Sequence, residues 1–119
     1  TPVPQSLASE ISTLLARLSD DGAELRHRAF LVGLSGGRLD RSVLSENGQR
    51  FFTSEVQADY VGMLKSAGPL KSFVLARRFR RGGMVGRIYR GATARRRFVV
   101  STFSLPDEKL EQFLILPLP

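Results

Sequence analysis

The chain has 119 residues and a mass of 13.2 kDa, room for one compact domain and too little for two independent hydrophobic cores. Hydrophobic residues at 42%, charged residues at 24% and eight Phe exclude a disordered or collagenous chain, and no apolar run approaches the ~18 residues of a membrane span. With no Cys and one His, a disulfide framework, a cysteine metal site, a thiol nucleophile and a multi-histidine centre are excluded. No motif for another metal or a cofactor is seen, and none is expected.

Thr1-Pro2-Val3-Pro4 reads as an extended lead-in over 1–5, because each proline disfavours the helical region for the residue before it; 6–119 then form a single α+β domain. The chain starts at Thr1 without a charged leader, the expectation for a matured form or for an excised piece of something longer. Leu7, Ile11, Leu14, Leu15 and Leu18 predict a helix over 6–18. Asp20 or Asp21 is placed to cap a second helix with Leu25, Ala29, Phe30, Val32 and Leu34 as its apolar positions, ended by Gly33, Gly36 and Gly37. The mixed stretch 39–52, around Asn47-Gly48, reads as short helical turns anchored by Val43, Leu44, Phe51 and Phe52. Ser54 with Gln57 fits a capping box for a third helix carrying Val56, Tyr60, Met63 and Leu64, and Gly68-Pro69 stops it.

From Leu70 onward β-branched and aromatic residues alternate with turn chemistry, which predicts strands over 70–79, 84–92, 95–105 and 110–116. Gly82-Gly83, Ala92-Thr93-Ala94 and Pro106–Lys109 are the connections. The fold class is therefore α+β, three N-terminal helices packed on a curved four-stranded antiparallel sheet. Phe98 and Val100 point to one face while Val99 and Phe103 point to the other, and Leu114 and Ile115 repeat the pattern. Both faces want cover, and three short helices cover only one. The second face is left to its own curvature, a ligand, another copy of the chain or a larger parent protein.

The net charge is +7, yet eleven Lys and Arg and no Asp or Glu lie between Tyr60 and Pro106, which leaves the rest of the chain net negative. Arg77, Arg78, Arg80, Arg81, Arg95, Arg96 and Arg97 form a candidate basic patch with Arg87 and Arg90 between the runs. Such a patch attracts anionic ligands, surfaces or nucleic acid; arginines at hairpin ends and on a wet strand face also keep a sheet soluble. Arg80-Arg81-Gly82-Gly83 is better explained as a hairpin than as an arginine–glycine nucleic-acid segment, and the glycine pairs do not make a phosphate loop.

His27, between Arg26 and Arg28 with no orienting carboxylate beside it in sequence, reads as a structural or surface histidine. Asp20, Asp21 and Glu24 read as helix-capping acids rather than metal ligands. Tyr60, Tyr89, Arg87 and Arg90 are the candidates to line a small-molecule site, against the alternative of ordinary core tyrosines. No catalytic set is visible.

The runs Gly68-Pro69-Leu70-Lys71-Ser72-Phe73, Gly82-Gly83-Met84, Arg87-Ile88-Tyr89-Arg90 and Leu105–Phe113, with Asp40–Leu44 and Phe51–Val56, resemble bacterial domains of the nuclear transport factor two-like, cystatin-like class. Similar units occur as small exported proteins or appended to serine hydrolases. The resemblance covers about 25–117 and implies a cone-shaped roll whose sheet contributes to dimerisation, with an exported or periplasmic setting. It also implies a non-catalytic accessory or binding domain, self-associating or docked on a parent protein through the sheet. An isomerase-like enzyme using the cone interior is the alternative, and nucleic-acid or anionic-surface binding through the arginine-rich strands is the second. In the isomerase branch a carboxylate base stands inside the cone, whereas here the segment 70–105 carries no Asp or Glu.

Overall fold

The structure is a computed structural model and describes residues 22–119. The expected lead-in, the helix expected over 6–18 and the Asp20 and Asp21 caps lie outside the described residues. The first described helix, α1 (Ala23–Ser35), has Gly22 at its N-cap position with no side-chain cap. Its buried stripe is Ala23, Glu24, His27, Phe30, Leu31 and Leu34, the i, i+3, i+4, i+7 pattern of one helix face. Leu25 at 71% exposure and Val32 at 46% therefore stand outside the core, contrary to expectation, because polar Glu24 and His27 take places in the inward stripe. Gly33 lies inside the helix. The ending is a Schellman motif, with Arg38 N–H donating to Gly33 O at 2.8 Å, Gly37 N–H to Leu34 O at 2.9 Å, and Gly37 at φ 83.

A 3₁₀ turn (Arg41–Val43) and α2 (Glu46–Phe51) occupy the mixed stretch, capped by Asp40 and Ser45. The next helix, α3 (Ser54–Ala67), takes Thr53 as its N-cap, Oγ1 accepting from Val56 N–H at 3.2 Å. The cap is thus one residue earlier than the capping-box reading, and Ser54 is the first helical residue.

Strands β1 (Leu70–Arg81), β2 (Met84–Thr93), β3 (Arg97–Ser104) and β4 (Leu110–Pro117) form an antiparallel meander in the order β1-β2-β3-β4. Gly82 and Gly83, at φ 54 and 82, supply the two left-handed residues of a tight primed turn matched to strand twist. The third strand starts at Arg97 rather than 95. Thr93 folds the preceding residues into a turn: its N–H donates to Arg96 O at 2.8 Å, and its Oγ1 accepts from the Arg95 and Arg96 amides. Bulges between Leu70 and Ser72, and between Leu75 and Arg77, bend β1 against β2.

The pairing register defines two faces. Phe73, Leu75, Tyr89, Phe98, Val100, Phe113 and Ile115 form the inner face and join Phe30, Leu31, Leu34, Leu44, Phe52 and Leu64 in one buried cluster. The helices cover this face and leave the other.

The free side of β4 is closed by the chain itself. Ser45 N–H donates to Leu110 O at 2.9 Å beside a Leu44–Leu110 bridge, and Ile115 N–H donates to the Tyr60 hydroxyl at 3.2 Å. Gly48 makes this closure possible, since a Cβ there would fall on the Leu110 carbonyl oxygen, a backbone atom with no rotamer by which to move aside. Gly48→Ala is expected to cost about 1–3 kcal/mol through this overlap, measurable as a lowered urea midpoint with unchanged m.

Candidate functional site

Two places bring unusual residues together. The first is a polar cluster beneath α1. Glu24 and His27, one turn apart, face the sheet where Arg87 and Tyr89 alternate on the inner side of β2. His27 Nδ1 lies 2.7 Å from the Tyr89 hydroxyl, with the rings edge to face at 5.6 Å. Tyr89 is fully buried and stacks on Phe73 at 4.4 Å. Arg87, 7% exposed, donates from Nη1 to Ser104 Oγ at 3.3 Å, and Thr102 Oγ1 donates to the Arg87 carbonyl at 3.4 Å.

Burial, with the positive charges of Arg87 and Arg26 acting in the same direction, lowers the His27 pKa from 6.5 to about 3. The imidazole is therefore neutral at physiological pH, with one ring nitrogen a donor and the other an acceptor. A base this weak is poorly matched to proton abstraction near pH 7, and its Nδ1 is engaged by a phenol. His27 and Leu110 also border a groove of about 680 Å³ between α1, the segment 38–43 and the turn 107–110, where Arg26 and Glu108 pair at 3.6 Å. Its charged lining is mixed in sign, with Arg38 and Lys109 beside Asp40 and Asp107.

The four expected lining residues do not converge. Tyr89 and Arg87 lie together inside. Tyr60 is on α3 at the β4 edge, against Phe51 and Phe52, where burial holds its phenol above the ordinary tyrosine range against the opposing effect of the Ile115 N–H bond. Arg90 is exposed on the opposite side of the sheet. Glu24 is the member that the sequence reading assigned to capping; its i, i+3 relation to His27 is what places it inside. Among the described residues no three His, Asp or Glu side chains gather as metal ligands would, and no helix is long and apolar enough to cross a membrane.

The second place is the outer face of the sheet. Its rows, read across the strands, are Phe79–Gly86–Phe103–Gln112, then Arg77–Ile88–Ser101–Leu114, then Val74–Arg90–Val99–Leu116. The Phe79 ring occupies the space a Gly86 side chain would need and meets Phe103 edge to face at 5.7 Å. The Arg77 and Arg81 guanidinium groups lie 5.1 and 5.9 Å from the Phe79 and Phe103 ring centroids. Arg81, Arg77, Arg90 and Arg97 thus run diagonally from β1 to the start of β3, and the half toward β4 is mainly apolar, with Leu116 45% exposed, around a polar pair in which Gln112 Nε2 donates to Ser101 Oγ at 3.3 Å. The remaining arginines of the patch are dispersed. Arg78 and Arg80 occupy the other side of β1, and Arg95 and Arg96 sit in the β2–β3 turn, where Arg95 Nη1 donates to Ser66 O at 3.2 Å.

Helices on one face of an antiparallel meander and an apolar, arginine-edged opposite face define an α+β domain with an open sheet. Comparison with protein-family models, with curated proteins and with solved structures finds no match.

Proposed function

We propose that this chain is a non-catalytic accessory domain of the nuclear transport factor two-like kind that associates with a second copy of itself through the outer face of its sheet. The observation that carries the reading is the division of that face into a mainly apolar half, Ile88, Val99, Phe103, Leu114 and Leu116 around the mutually hydrogen-bonded Ser101 and Gln112, and an arginine diagonal beside it. A two-fold contact must be complementary to itself. Apolar surface meets that requirement and guanidinium groups do not, so an axis near Val99 and Leu114 buries the first and leaves the second at the rim. The weak basicity of His27 and the separation of Tyr60 and Arg90 from Tyr89 speak for binding rather than chemistry in the interior.

Sedimentation velocity over a concentration series tests this. The native chain is expected to dimerise, and Val99→Glu combined with Leu114→Glu is expected to weaken dimerisation more than about tenfold, because burying unpaired carboxylates costs several kcal/mol. Both side chains are half-buried on the outer face, and thermal melts of the double variant check that it remains folded. A native chain that stays monomeric at high concentration, or a double variant that dimerises equally well, would overturn the proposal.

A further inference from the structure

The two edges of the sheet are treated differently. Along β4 the chain supplies its own cover through Ser45, Leu44 and Tyr60. Strand β1 stands at the other end of the order, with β2 as its strand neighbour, and it is one of the longest elements of the fold at 12 residues. Its last stretch, Arg77–Arg81, pairs with β2 without interruption, since both bulges lie before it. There Arg77 and Arg81 project to the outer face and Arg80 to the other, all three exposed. No Asp or Glu occurs between Tyr60 and Pro106 to neutralise them from neighbouring strands.

We infer that the Arg77–Arg81 edge of β1 is a docking site for an acidic extended peptide that adds to the sheet as a further strand. Among the described residues no strand pairs with this edge, so it offers a row of backbone donors and acceptors, which bind any strand, while the side chains choose which strand. A segment with carboxylates at alternate positions sets them beside Arg77 and Arg81 on one face, or beside Arg80 on the other. Directly opposed unlike charges favour such a pairing and like charges disfavour it. A second copy of this chain adding antiparallel at the same edge would set arginine against arginine, so charge selects a foreign acidic strand over a self-pair. The site is the strand edge, bordering the outer-face contact at Arg77 and Arg81, and does not rest on it.

The test uses the full chain and a capped peptide of about eight residues, one strand's length, alternating glutamate with valine, with a lysine–valine peptide as control. The acidic peptide is expected to shift the amide resonances of Arg77–Arg81 and slow their hydrogen exchange, with affinity falling as salt is raised. The lysine peptide is expected to leave them unmoved. Arg77→Glu combined with Arg81→Glu should lower the affinity by about tenfold or more, and the neutral pair Arg77→Gln and Arg81→Gln by less, thermal melts checking that both remain folded. Failure of the acidic peptide to bind, equal binding of the lysine peptide, or shifts confined to Val99 and Leu114 would overturn the inference. So would a single-stranded oligonucleotide that occupies Arg77–Arg81 when the peptide does not.

Discussion

Lowering the pH from about 7 to about 4 is expected to remove about 3 kcal/mol of folding stability through His27 alone. In the folded state the imidazole has its pKa depressed to about 3, while in the unfolded chain it returns to 6.5. Below 6.5 the unfolded state binds the proton and the folded state refuses it. The contribution is therefore complete above pH 6.5 and lost progressively as pH falls toward 3. Urea titrations at several pH values measure it, and His27→Gln, which keeps a hydrogen-bonding partner for the Tyr89 hydroxyl without titrating, should lose that part of the slope. An imidazole that titrates near 6.5 by NMR, with native and variant chains equally pH-sensitive, would contradict the burial on which the interior description depends.

Tyr89→Ala is expected to cost about 3–5 kcal/mol, and Tyr89→Phe about 1–3 kcal/mol. The first removes a fully buried ring, its stack on Phe73 and the partner of His27. The second keeps the ring and leaves His27 Nδ1 facing a carbon. The difference between the two denaturation midpoints separates packing from hydrogen bonding at the centre of the sheet. Equal losses would mean that the hydroxyl, not the ring, carries the stability of this position.

The strands were legible because their punctuation is chemical. Gly82-Gly83 and Pro106–Lys109 mark turns whatever surrounds them, and a β-branched and aromatic run such as Phe98, Val99 and Val100 has few alternatives to a strand. Sequence pattern and structure part where a side chain plays against type. His27 and Glu24 sit in the inward stripe of α1, so a reading keyed to apolar periodicity chose Leu25 and Val32 instead. Thr93 spends its hydroxyl on a turn, which postpones β3 by two residues. The interior cluster was beyond sequence reasoning, since His27 and Tyr89 are 62 positions apart and nothing local announces their contact. The arginine runs suggested one patch, but alternation and the bulge before Arg77 distribute them over two faces and a turn.

The apolar half of the outer face is the feature on which the functional reading turns. The most direct measurement is an isotope-filtered NMR experiment on a mixture of labelled and unlabelled protein. It should give intermolecular contacts among the methyl groups of Ile88, Val99, Leu114 and Leu116 and none to Leu31 or Leu34 under the helices. Intermolecular contacts elsewhere, or none at any attainable concentration, would contradict the account.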